Sequence, residues 1–126
     1  MRDETGFQVW YSWGATAQVR LSADRKQVIC LAPEGRLYAM NAQSEKPQKL
    51  WSAELGEPIH ATDMLQNGNM ILFSTSEGYL LAFNLQSRAF LWKFRVSDYP
   101  LKGISPAGKN SVCVISADGK IQRIDY

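Results

Sequence analysis

The side chains with chemical potential in this sequence are few and scattered. His60 is the sole histidine, in Glu57-Pro58-Ile59-His60-Ala61. From an inner strand it could face a central channel, where a second copy would bring another imidazole; otherwise it is a hydrogen-bonded rim residue. Cys30 and Cys113 lie in the apolar runs Val28-Ile29-Cys30-Leu31 and Val112-Cys113-Val114-Ile115, a setting that suits buried free thiols better than a disulfide. Glu34, Glu77 and Asp118 each precede a glycine. Gathered on one rim they would suit a cation or a basic partner, although hairpin geometry alone favours acids there. Lys46, Lys49, Lys93 and Arg95 carry charge where it deters edge-to-edge strand pairing, with a basic binding face as the second reading. Tyr11 and Trp13 form a surplus aromatic pair, suited to an interface, to stacking on a sugar, or to a core. No histidine, cysteine or carboxylate spacing matches a metal site or a nucleophile, and no glycine-rich loop is present to hold a phosphate. The expectation is a protein without catalytic residues, cofactor or metal, and so not an enzyme.

Composition agrees with a modest, globular role. A chain of 126 residues with 45% hydrophobic and 21% charged side chains is one domain with a real core. Fourteen basic against twelve acidic side chains give a net charge of +2, too weak a field to argue for nucleic acid or an anionic membrane surface. No apolar run approaches the roughly 18 residues of a membrane span. Met1 to Gly6 contain no apolar signal core, so the expected compartment is the cytoplasm, or the periplasm or extracellular space if a signal peptide has been removed.

Periodicity says far more. Trp10, Trp51 and Trp92 recur at intervals of 41 residues. Matched positions follow: Gly35, Gly78 and Gly119; Leu37, Leu80 and Ile121; Asn41, Asn84 and Asp125. Repeats of this length belong to architectures in which each unit buries its apolar face only against a neighbour. Within each unit, β-forming apolar runs (27–32, 70–74 and 111–115) lead into Glu34-Gly35, Glu77-Gly78 and Asp118-Gly119. Hairpin centres there need the positive φ that glycine adopts without strain. Return strands follow at 36–40, 79–83 and 120–124, and weaker strands precede the runs at 18–22, 61–65 and 102–105. The tryptophan segments supply a fourth strand. No sustained helical period occurs. Four antiparallel strands in about 40 residues make a propeller blade.

These residues resemble the PQQ-like (quinoprotein-type) repeat of β-propellers, whose docking pattern is Ala-x-Asp-x-x-x-Gly-x-x-x-Trp, and the likeness covers nearly the whole chain. Ala82, Asn84 and Trp92 match at the pattern's spacing, with Arg88 where glycine is usual. Ala39, Asn41 and Trp51 match with two extra residues in the intervening loop. Gly6 and Trp10 supply the second half of the pattern, and Asp125 part of its first half. The resemblance implies that each tryptophan docks one blade on the next. The family's quinone enzymes hold their cofactor between a tryptophan and a vicinal disulfide, beside a calcium ion; no adjacent cysteine pair occurs here, so the resemblance implies a cofactor-less, WD-like propeller.

The fold expected is all-β: a single domain, 1–126, of four-stranded blades spanning roughly 17–55, 60–97 and 101–126 together with 7–13. Three blades fall short of the four to eight that close a ring. A homodimer would make a six-bladed propeller, the Trp10 strand of each copy completing the last blade of the other. The expected function is a scaffold for an unidentified protein partner, with no nucleic acid and no membrane. A propeller lectin and a fragment of a larger PQQ-like propeller are the alternatives.

Overall fold

A computed structural model describes residues 18–22, 24–46 and 48–126. Every regular element among them is a strand: β1 (Gln18–Leu21), β2 (Gln27–Leu31), β3 (Arg36–Asn41), β4 (Lys49–Glu54), β5 (Ala61–Asn67), β6 (Met70–Thr75), β7 (Tyr79–Asn84), β8 (Ala89–Arg95), β9 (Leu101–Gly108), β10 (Ser111–Ser116) and β11 (Ile121–Asp125). They form three antiparallel sheets in chain order, β1–β4, β5–β8 and β9–β11. The sheets stack as blades 1, 2 and 3, with their first strands β1, β5 and β9 side by side. Tyr11, Trp10 and Trp13, and with them the expected 7–13 strand, lie outside the described residues.

Side-chain alternation explains the stacking. Successive side chains of a strand point to opposite faces. Ile29, Leu31, Leu37 and Ala39 of blade 1 therefore meet Ile71, Phe73, Leu81 and Phe83 of blade 2 in one core cluster. From the opposite face of blade 2, Leu72, Leu80 and Ala82 meet Ile104, Val112 and Val114 of blade 3. A third cluster, Cys30, Ala32, Tyr38 and Met40, occupies the face of blade 1 turned away from blade 2. Strands β3 and β7 are thus buried on both faces, which is why they read as continuous apolar runs. β11 alternates between exposed and half-buried residues, because only one of its faces meets another blade. Ile121, 72% exposed, and Ile115 look outward from that uncovered face. Cys113 stands in the same outward-facing rows of β10, which leaves it half-exposed while Cys30 is buried.

One carboxylate ties the three blades together near their inner strands. Asp63 of β5 accepts from Arg20 Nη1 of β1 at 2.6 Å, from its neighbour Met64 N at 2.8 Å, and through Oδ2 from Ile104 N of β9 at 3.1 Å. Its side chain is 22% exposed, so these bonds are only partly replaced by water when one is lost. Asp63→Ala should therefore lower the unfolding free energy by about 2–3 kcal/mol. Arg20→Ala should cost about 1 kcal/mol or less, its guanidinium being more exposed. Urea denaturation curves of the two variants test this order, and equal losses would refute it.

Candidate functional site

The local chemistry of the repeats shows how each blade seats its outer strand. The small Ala39 and Ala82 stand opposite Trp51 and Trp92 in the two outer hairpins. Just beyond each pair the ladder carries a bulge, which leaves Leu50 and Leu91 exposed on the outer edge. Both indoles are half-buried: Trp51 packs on the cluster between blades 1 and 2, and Trp92 on the cluster between blades 2 and 3. An outermost strand covers only one side of its indole, so each ring hides less area than a full wedge would. Trp51 Nε1 donates to Gln27 Oε1 at 3.2 Å.

Asn41 and Asn84, where the docking pattern has aspartate, hold the following turns. Asn84 Oδ1 accepts from Gln86 N at 2.8 Å and Ser87 N at 2.9 Å, and Asn41 Oδ1 from Gln43 N at 2.9 Å. Arg88, at the pattern's glycine position, has a φ of 58°, the left-handed conformation that glycine would enter freely. Its Nη1 donates across to Ser52 O of blade 1 at 2.9 Å, a bond glycine could not supply. Asp125 accepts instead from Ser111 Oγ and from Arg123 Nε. The Ser111 hydroxyl and then the Arg123 guanidinium hold its carboxyl below the usual aspartate range.

The turn glycines do two jobs. Gly35 and Gly78 have φ of 97° and 88°, and each is crossed by the segment leading to the next blade. Leu55 N donates to Gly35 O at 2.8 Å, and Val96 N to Gly78 O at 2.9 Å. An added Cβ would lie 2.1 Å from Glu57 O at the first site and 2.0 Å from Ser97 O at the second. Gly119 has φ 87° but nothing within 4 Å of an added Cβ, and no described amide donates to its carbonyl.

The other candidate residues disperse. His60 precedes β5 at the rim, exposed, with Nδ1 2.8 Å from Glu77 Oε1. Asp118 accepts from Ser116 Oγ in its own hairpin, and that hydroxyl lowers its carboxyl pKa. Glu34 is exposed. No group of three metal-ligating side chains forms among the described residues. Lys49 and Lys93 lie over the rings of Tyr38 and Tyr79, Nζ being 6.0 and 4.6 Å from the centroids. Burial pushes the Cys30 thiol upward, which keeps it protonated and unreactive.

What remains is the outer edge of blade 3. Among the described residues β11 pairs with β10 alone, leaving its outer edge without a ladder. Beside that edge runs an apolar groove of about 400 Å³ lined by Trp92, Lys93, Phe94, Ile124, Asp125 and Tyr126. Tyr126 and Trp92 wall it with ring centroids 5.9 Å apart, and Asn67 Nδ2 donates to the Tyr126 hydroxyl at 2.7 Å. Phe94 is 51% exposed. The corresponding space between blades 1 and 2, beside Trp51, Leu85 and Arg88, measures about 280 Å³. There Phe90 stands edge-on to Phe83 at 5.2 Å. An unpaired strand edge beside an apolar trough can accept an added strand through main-chain hydrogen bonds. Sequence inspection marked Trp92 and Asp125 but missed Phe94, Tyr126 and Asp63. The replacement of Ala53 by Phe94 at the same distance from the tryptophan was the available signal for the first.

Comparison with known proteins agrees with this architecture. No protein-family model matches the sequence, and no curated protein matches it. Among solved structures, the β-propeller domain of Cps50 (Swd1) from Myceliophteria thermophila superposes with a TM-score of 0.68 at 12% identity, over 91% of this chain and 37% of that one. BamB from Moraxella catarrhalis gives 0.62 at 20% identity, over 85% and 32%. A chain of the mitotic checkpoint complex gives 0.67 at 12% identity, over 87% and 33%. The fold is that of stacked β-propeller blades, and the chain spans about a third of the length of these structures.

The two kinds of turn glycine separate by substitution. Gly78→Ala meets both an unfavourable φ and the Ser97 carbonyl, and should cost about 3 kcal/mol or more. Gly119→Ala meets only the φ penalty, about 1–2 kcal/mol. Thermal melts that ranked Gly119→Ala as the worse variant would overturn this reading of the turns.

Proposed function

We propose that this chain is a non-catalytic propeller scaffold of the PQQ-like repeat type, which closes its ring with a second copy and offers the assembled rim or channel to a protein partner. The observation that carries this reading is the edge of β11 that no described strand pairs, beside the groove of Trp92, Phe94, Ile124 and Tyr126. Apolar surface and an open strand edge in one place mark an interaction site. The outward Ile115 and Ile121 extend the same demand over the face of blade 3. A homodimer would answer both, the Trp10 strand of one copy completing the last blade of the other beside β11. The ring then has six blades, within the range that closes. Support for a protein partner comes from the likeness to a chain that works inside a multiprotein assembly, the mitotic checkpoint complex. The accompanying compartment is the cytoplasm, or the periplasm or extracellular space where a signal peptide has been cleaved.

A carbohydrate-binding reading would need like pockets between successive blades. The pocket beside Trp51 is polar, with Gln27, Gln66, Asn69 and Arg88, whereas its counterpart beside Trp92 is apolar, so the protein reading is preferred. The competing reading favoured by length is a stretch of a longer propeller, since the chain spans about a third of its structural neighbours.

Sedimentation or light scattering at micromolar concentration should return the mass of two chains. A mass of one chain would sink the dimer and favour the longer-propeller reading. Within the dimer, Trp10→Ala should weaken association more than Trp92→Ala, since Trp10 is carried on the exchanged strand whereas Trp92 belongs to blade 2 of its own chain and only borders the groove. Equal effects on the dissociation constant would remove the strand-exchange step.

A further inference from the structure

The connections between strands sort by charge. At one end of the blades the chain turns through 32–35, 55–60, 76–78, 96–100 and 117–120, which carry Glu34, Glu57, Glu77, Asp98 and Asp118 against a single lysine, Lys120. At the other end, the described residues of 22–26, 42–48, 68–69, 85–88 and 109–110 carry Arg25, Lys26, Lys46, Arg88 and Lys109 against Asp24 and Glu45. These five cations are exposed, and none is in an ion pair among the described residues. The net charge of +2 therefore conceals two oppositely charged faces. The basic face is also indented. One cavity of about 280 Å³ lies beside Trp51 and Arg88, a second of about 420 Å³ beside Leu21 and Lys109, and Gln66 walls both.

We propose that this face docks a segment of a protein partner in which carboxylates alternate with apolar side chains, one carboxylate on Arg88 beside the Trp51 indole, another on Lys109, and a main-chain N–H between them on Gln66 Oε1; this rests on the scaffold reading above, though not on ring closure. Three observations carry it. The first is the backbone. Arg25 and Arg88 are the two non-glycine residues with positive φ among the described residues, at 63° and 58°, while Gly35, Gly56, Gly68, Gly78 and Gly119 take up that region elsewhere. Glycine would enter both turns without strain, so each holds a cation on this face against a conformational cost, and such strain gathers where a protein binds or reacts. Arg88 donates through Nη1 to Ser52 O, and its other nitrogens have no acceptor among the described residues. The second is an orphan acceptor. Gln66 Oε1 is buried and has no hydrogen-bond partner, and the donation of Nε2 to Gly68 O at 3.1 Å fixes which end of the amide is the oxygen. A buried acceptor calls for a donor, and a peptide main chain supplies an N–H where a phosphodiester backbone has none. The third is the mixture of surfaces. Leu21 is 48% exposed and lines the second cavity with Leu65, Pro106 and Val112, which suits apolar side chains between the acids. Asp24 and Glu45, in the same turns as the cations, repel a uniformly charged polyanion and so favour a sparsely acidic peptide over nucleic acid.

Fluorescence anisotropy of the full chain with a labelled peptide of alternating glutamate and leucine tests the face. Affinity should fall by about tenfold or more when glutamine replaces glutamate in the peptide, and should fall as salt is raised. Arg88→Gly, which eases its own turn, and Lys109→Gln should each bind several-fold more weakly, while Lys120→Gln on the opposite face binds as the wild type does. Gln66→Met should also weaken binding several-fold, with a melting temperature no lower than the wild type's, because it removes a buried acceptor that folding leaves unpaired. Equal binding of the glutamine peptide, equal losses in Lys120→Gln and Arg88→Gly, or tighter binding of a single-stranded oligothymidylate would each overturn the inference. A chain that sediments as a monomer yet binds the peptide in this pattern keeps the basic docking face and loses the closed ring. A dimer indifferent to the peptide keeps the ring and loses the face.

Discussion

No sheet in this chain can satisfy its side chains alone. β7 is apolar on both faces and meets a blade on each, so the middle blade leaves water only with a neighbour on either side. That demand aligns the repeats. Where two blades meet, the demand is met by interdigitated leucine, isoleucine and phenylalanine. Where the described blades run out, it surfaces as Ile115, Ile121 and the trough beside Trp92. Asp63 adds direction to an otherwise greasy stack, since a carboxylate bonded to Arg20 on one side and to the Ile104 amide on the other fixes how far the inner strands can slide.

Glycine carries a second constraint. A connecting segment can cross the hairpin tip closely only if the tip has no side chain, and the carbonyls of Glu57 and Ser97 use that clearance at Gly35 and Gly78. The same residue type at Gly119 meets no such segment among the described residues. Turn chemistry and blade docking are thus two demands on one position, and only the turn demand is visible at the third hairpin.

Much of the fold was legible in the residues. The spacing of Trp10, Trp51 and Trp92, with acid–glycine pairs between apolar runs, specifies blades because a hairpin tip and an outer-strand anchor both have strong local signatures. The asparagines at 41 and 84 were readable for the same reason: Asx turns form within a few residues. The site was less legible. Asp63 bonds to partners in two other blades, 43 and 41 residues away, and no local pattern announces such a tie. Half-burial of the indoles was also hidden, because it depends on which side of an outer strand has a neighbour. His60 read as a rim residue more than as a channel one, and it stands at the rim against Glu77, one residue short of the inner strand.

The polar tie has a kinetic side. Strand pairing within each blade links residues close in sequence, and the most extensive contacts between described blades join adjacent units. Order can therefore spread like a zipper from wherever it first takes hold. Asp63 sits in the one blade that touches both others. Each flank docked onto the middle unit adds one of the carboxylate's two bonds between blades.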